Sequence, residues 1–303
     1  MVSRIRTYAR PQLRQPVLIA AFTGWNDASE VATFSARFLI DQWNMRKMAE
    51  IDPEEFYVFT ETRPQVRIPG RFQRHIEWPS NEFFYRINKA GERDIIVLLG
   101  VEPDLTWRTF TDTLTSFCRQ QGVTTVVTLG ALVADVPHTL PVRLTGTASP
   151  AQFAKRLRQI GVETTRYAGP TGINGVLNST SARKRFATAS IWGSIPEYLS
   201  ASPNPKAALA MLERLSALLE FEVDLTELRL LEAQFDRQVA EIVAEDPELQ
   251  AYVQQLEARR RAEQPPSRRR RRAEQGPLPS SEELIRDLEE YLRRRRGQGG
   301  EEL

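Results

Sequence analysis

The sequence predicts an α/β protein: a three-layer α/β/α sandwich around a mostly parallel sheet, with a helical appendage after it. Three observations carry the prediction. Val17 to Phe22 is an unbroken apolar run, and Asp94 to Gly100 and Val123 to Leu129 are largely apolar stretches of strand length, as expected of strands covered on both faces. Segments with apolar residues at helical spacing alternate with these runs. Turn residues rich in Gly, Pro, Asn and Asp stand between them.

Taken in order, the strand Val17 to Phe22 runs into Thr23-Gly24-Trp25-Asn26-Asp27, a tight turn, and Val31, Phe34, Phe38 and Leu39 then mark a helix. Asp52-Pro53 is a turn before a strand over Phe56 to Thr60, and Glu61-Thr62-Arg63-Pro64 leaves its carboxyl end. Gln65 to Gly70, Phe72 to Trp78 and Phe83 to Ile87 read as short strands. Leu105, Phe110, Leu114 and Phe117 space a helix between the two later apolar strands. Val142 to Thr145 and Glu163 to Tyr167 are shorter strands, with a helix opened by Ser149-Pro150 between them. The loop Gly169 to Gly175 feeds another helix, and Ala187 to Trp192 closes the series. This core spans residues 1–203.

Asn204-Pro205 is a cap and first-turn pair that opens the appendage, residues 204–262. Leu209, Leu212, Leu215 and Leu219 face one way, and Leu228, Leu231, Phe235, Val239 and Ile242 continue in steps of three and four. Asp246-Pro247 separates a third helix. Residues 263–279 hold Pro265-Pro266, five consecutive arginines at 268–272 and Gly276-Pro277, a disordered linker by composition. Residues 280–297 read as an amphipathic helix with Leu284, Leu288 and Leu292 in one stripe and Arg293 to Arg296 at its end.

Composition bounds the function. The single cysteine, Cys118, excludes an intrachain disulfide, and no segment has the length and apolarity of a signal peptide or a membrane span, so a cytoplasmic protein without a membrane partner is expected. The net charge of +2 leaves the body near neutral and the tail from Glu257 to Leu303 weakly basic. The arginine runs there lack interleaved aromatics and share the tail with ten acids, so no nucleic-acid partner is expected.

Loops leaving the carboxyl ends of strands are where open α/β sheets hold ligands. A pocket is therefore expected from Trp25, Asn26, Asp27, Arg63 and Gly130, from Asp135 and His138, and from Gly169, Thr171, Gly172, Asn174 and Gly175. Asn26 or Asp27 can equally cap the following helix, with Glu30 completing a capping box from Asp27. Asp135 three residues before His138 is the spacing of a carboxylate-oriented base, and of a structural histidine held by that aspartate. The glycines at 169, 172 and 175 can approach a phosphate or simply make the turn; their spacing is not the dinucleotide fingerprint. Nucleophile elbows, phosphate loops and zinc motifs are absent, so no catalytic residue, metal or cofactor is assigned.

Ala21-Phe-Thr-Gly-Trp-Asn-Asp-Ala-Ser29, Asp52-Pro-Glu-Glu-Phe-Tyr57 and Thr62-Arg-Pro-Gln-Val-Arg67 resemble the proteasome assembly chaperone family in its bacterial, actinobacterial-type two-domain form. So do Leu129 to Thr139, Tyr167 to Gly175, Ala189 to Gly193 and Pro196 to Leu199, so that the resemblance covers about residues 15–220. It implies a core like that of purine nucleoside phosphorylases, a phosphorylase- or hydrolase-like sandwich. It implies a chaperone function too, since eukaryotic relatives pair proteasome α-subunits into rings. No catalytic set transfers with it. Some archaeal relatives engage proteasomes through a C-terminal hydrophobic-Tyr-any ending, whereas this sequence ends Glu301-Glu302-Leu303.

The expected function is a non-enzymatic, assembly-chaperone-like interaction protein. Its expected partners are further copies of itself, a trimer among the arrangements considered, and proteasome subunits. The alternative is a cytoplasmic phosphorylase- or hydrolase-like enzyme using the strand-end pocket.

Overall fold

The computed structural model describes residues 4–263 apart from 69, 71, 72, 90, 92, 201 and 202; the expected linker and final helix lie outside the described residues. In chain order the elements are β1 (Ile5–Thr7), β2 (Val17–Thr23), α1 (Val31–Gln42), β3 (Arg46–Ile51), β4 (Gln65–Arg67), β5 (His75–Glu77), β6 (Asn81–Arg86) and β7 (Ile95–Val101). There follow α2 (Trp107–Gln120), β8 (Thr125–Ala134), β9 (Leu144–Ser149), α3 (Ala151–Gln159), β10 (Glu163–Thr164), α4 (Ile173–Arg183) and β11 (Ala187–Pro196). The last three are α5 (Pro205–Leu219), α6 (Thr226–Glu245) and α7 (Pro247–Glu263).

Nine strands form one sheet in the order β1-β3-β6-β7-β2-β8-β11-β9-β10. The centre, β7-β2-β8-β11, is parallel. The flanks are not: β1, β3, β6 and β7 pair antiparallel in turn, and β9 runs against β11. The sheet is therefore mixed around a parallel core, where the sequence suggested a mostly parallel one. The apolar runs mark the parallel centre because only there do helices cover both faces.

Alternation along β2 builds the two interiors. Val17, Ile19 and Ala21 face a layer containing α1, α3 and α5, while Leu18, Ala20 and Phe22 face α2 and α4. α5 belongs to the first interior through Ala207, Ala208, Met211, Leu212, Leu215 and Leu218, all buried with β2 and α1. The change of composition at residue 203 thus falls inside one core, and chain contacts group everything up to Glu257 as one compact unit. The expected cap is present, with Asn204 Oδ1 accepting from Ala207 N at 3.0 Å.

Two stretches differ from the sequence reading. Phe56 to Thr60 forms turns, because its backbone bonds to the loop after β7: Phe56 O accepts from Asp104 N and Leu105 N, and the Asp104 carboxylate accepts from Val58 N. β3 lies in a stretch to which the sequence analysis assigns no element. Its Lys47 pairs with Glu50 of the same strand and with Glu82 of β6 across the sheet. No helix among the described residues is long and apolar enough to cross a membrane.

Candidate functional site

Three strand-end segments meet at a residue the sequence analysis leaves out, and the other expected site residues lie elsewhere. Glu102 is the first residue after β7, beside the turn that leaves β2. Its carboxylate accepts from Asn26 Nδ2 at 2.7 Å, from Trp25 N at 3.2 Å and from Ile173 N, at the start of α4, at 2.7 Å. One acid therefore ties together the ends of β2 and β7 and the helix whose N-terminus points into the crevice. The partial positive charge there favours an anion, and Glu102 supplies it from within the chain. A charged residue directly after the buried run ending at Val101, before Pro103, was the available signal in the sequence.

Close approach explains two glycines. At Gly24 the backbone turns with φ of 120°, a region open to glycine, and a Cβ there would stand 3.1 Å from that of Glu102. At Gly172 a Cβ would come within 2.4 Å of the Asn26 amide, so α4 can start only where residue 172 lacks a side chain. Asn26 is fully buried, and its backbone oxygen accepts from Ala131 N of β8 at 2.8 Å. Asn174, also fully buried, donates from Nδ2 to Leu129 O at 2.8 Å. The Oδ1 atoms of Asn26 and Asn174 have no donor among the described residues.

Asp27 does not line an opening. Its Oδ1 accepts from Ala32 N at 2.7 Å and Thr33 N at 3.3 Å, and its Oδ2 accepts from the Thr33 hydroxyl, so it caps α1. Burial pushes its carboxyl above the ordinary range, against these hydrogen bonds. The capping box with Glu30 does not form: Glu30 is exposed, with φ of 53°, and only its N–H bonds back, to Asp27 O.

The remaining expected residues fall elsewhere. Trp25 stands 64% exposed on the rim. Gly130, on β8, lies beneath the Trp192 ring, where a Cβ would meet it at 2.7 Å. Gly169 is exposed in a loop closed on itself by Tyr167 OH donating to Pro170 O at 3.1 Å. A Cβ at Gly175 would meet Thr171 Oγ1 at 2.0 Å, which keeps that turn tight. Arg63 is exposed and makes no hydrogen bond or ion pair among the described residues.

His138 is not held by Asp135, which is exposed. Its Nδ1 lies 2.8 Å from Tyr198 OH, which also accepts from His138 N at 2.9 Å. A neutral ring whose Nδ1 accepts the Tyr198 proton satisfies both contacts. The His138 carbonyl accepts from Lys206 Nζ at 2.8 Å, and Lys206 pairs with Asp236 of α6. Burial and the nearby ammonium of Lys206 lower the His138 pKa. This cluster joins a loop to the helical layer. Among the described residues no group of three His, Cys, Asp or Glu is arranged to hold a metal ion.

Comparison with known proteins gives a consistent result. A PAC2 family protein from Streptomyces avermitilis is 37% identical, with a TM-score of 0.72 over 78% of this chain and 99% of that one. A proteasome-assembly chaperone homologue from Mycobacterium tuberculosis is 40% identical, with the same TM-score and coverage. Pyrococcus furiosus PbaB, an archaeal proteasome activator, shares the fold at 21% identity and a TM-score of 0.64, over 78% of this chain and 97% of that one. A search of curated proteins finds no match. The family model of the PAC2 family matches residues 21–243, from the end of β2 through most of α6, and the chain belongs to the PAC2 family.

Proposed function

We propose that this chain is a non-enzymatic, assembly-chaperone-like protein of the cytoplasm that works by binding other protein chains, including proteasome subunits and further copies of itself. The observation that carries this is the state of the strand-end crevice. Where an α/β enzyme of this layout would place a ligand, Glu102 already satisfies the α4 N-terminus and the Asn26 amide. A carboxylate engaged by three donors of its own chain is a clasp between segments, poorly disposed to act as a base. The two relatives near 40% identity support the chaperone side of the reading, one of them being a proteasome-assembly chaperone homologue.

The test is a pulldown of the full chain with proteasome α- and β-subunits, run beside a screen against nucleosides, esters and phosphorylated compounds. Capture of proteasome subunits without turnover is expected. Turnover that disappears in Glu102→Gln, with the fold intact by circular dichroism, would overturn the proposal.

A further inference from the structure

Two surfaces of this chain are apolar, exposed and opposite in charge. The first is the ribbon of β4 and β5, a two-stranded sheet separate from the main one. All six of its strand residues are exposed. Val66 and Ile76 are paired directly, so their side chains share a face, and Ile68 and Trp78 continue it at alternate positions. Val66 is 59% and Ile76 51% exposed. The ribbon is tied down at its base by Trp78, whose ring packs against Phe59 at 4.7 Å. A lone hairpin is marginal in water, and one with its apolar face uncovered gains nothing from burial.

The second surface is the outer side of α6. Leu228 and Val239 are buried, but Leu231 and Ile242, about three turns apart on one stripe, remain in solvent with Leu230 beside them. Leu230 is 64% and Ile242 58% exposed. Because both surfaces stay open in a single chain, neither covers the other within it.

Charge says what each would accept. Among the described residues of 63–78 three arginines stand against one glutamate, and α6 carries five acids against two arginines, so the two surfaces are opposite in sign. Within the ribbon Arg67 is paired with Glu77, while Arg63 and Arg74 have no ion pair among the described residues. On α6 Asp236 is paired with Lys206, while Glu227, Glu241 and Glu245 have none. Glu227 stands one turn before Leu231 and Glu245 one turn after Ile242, so unpaired acids flank the apolar stripe.

We propose that the β4–β5 ribbon of one copy docks on α6 of a second copy, apolar face to apolar stripe, with Arg63 and Arg74 against the acids of α6. This rests on the protein-interaction reading above and names the surfaces of self-association. The contact joins two different patches, so each copy offers one of each and the assembly closes when every ribbon meets an α6.

The test uses the full chain in two variants, Ile76→Glu on the ribbon and Ile242→Arg on α6, with circular dichroism to verify folding. Both positions are more than half exposed, so the fold tolerates them. By analytical ultracentrifugation at micromolar concentration, the native chain is expected to sediment as an oligomer and each variant as a 34.6 kDa monomer. Mixed in equal amounts, the two variants are expected to form a one-to-one dimer, because each keeps the surface the other has lost. A monomeric native chain, a variant that keeps the native mass, or a mixture that stays monomeric would overturn the proposal. Loss of proteasome-subunit capture by Ile76→Glu with unchanged mass would also overturn it, while leaving the chaperone reading standing.

Discussion

Glu102 illustrates how a single side chain can close a site that topology leaves open. Removing it in Glu102→Ala would strip an acceptor from Ile173 N and Asn26 Nδ2 inside a buried region, at a cost of about 1–3 kcal/mol. A fall in melting temperature of about 2–8 °C is expected, with Glu102→Gln falling less because one amide oxygen remains; equal effects from the two would show that the acceptor does not matter. His138 gives a pH signature. Its pKa is lowered from the ordinary 6.5, so the folded state favours the neutral ring, and its contribution is present above pH 6.5 and lost as pH falls through the lowered value. Tyr198, Lys206, Asp236 and Glu257 all face this ring or its backbone, the two acids working against the shift. The native chain should therefore lose stability relative to His138→Asn on acidification below pH 6.5, in paired melting curves; a constant difference would refute the assignment. At this scale the sequence was least legible. Spacing placed His138 with Asp135, whereas its partner is Tyr198, sixty residues away in the chain. Local spacing cannot report a contact made by folding.

Elements were legible where burial is symmetrical and obscure where it is not. The parallel strands β2, β7 and β8 announced themselves because helices cover both faces, and the Asn204-Pro205 start of α5 did so through its cap. β3 did not, because half its residues are charged and bond across the sheet surface. α5 was legible as a helix, but its place was not: seven of its residues lie buried within the core of the sheet. Leu212→Ala is accordingly expected to cost about 2–5 kcal/mol, the loss typical of a deep core position. Urea unfolding of the full chain would measure it, and a cost below about 1 kcal/mol would show α5 to be peripheral. At the start of α4, Gly172→Ala would push a methyl into the Asn26 amide and break its bond to Glu102. A loss of about 1–3 kcal/mol is expected, and an unchanged midpoint would mean that Asn26 moves without consequence.

For the whole molecule, the motifs read from the sequence marked the family over about residues 15–220, and the family model matches 21–243, so the outline of the fold was available before any coordinates. The motifs around Gly24 and Gly172 stand out because backbone crowding there excludes side chains, which makes them informative about fold and silent about substrate. Composition suggested a core ending at residue 203 and a separate appendage over 204–262. Chain contacts place the end of the compact unit at Glu257, and Val253 and Leu256 are its last buried apolar residues among those described. The sequence from Gln264 opens on a proline- and arginine-rich stretch whose composition reads as a linker, so truncation before Gln264 is expected to change the melting temperature by less than about 5 °C, which corresponds to roughly 1–2 kcal/mol in a chain of this size. The same truncation leaves the β4–β5 ribbon and α6 intact, so the sedimenting mass per copy should also be set by the shortened chain in an unchanged stoichiometry. A larger fall in melting temperature would mean that the segment beyond Gln264 packs on the core, and a change of stoichiometry would assign it to the assembly.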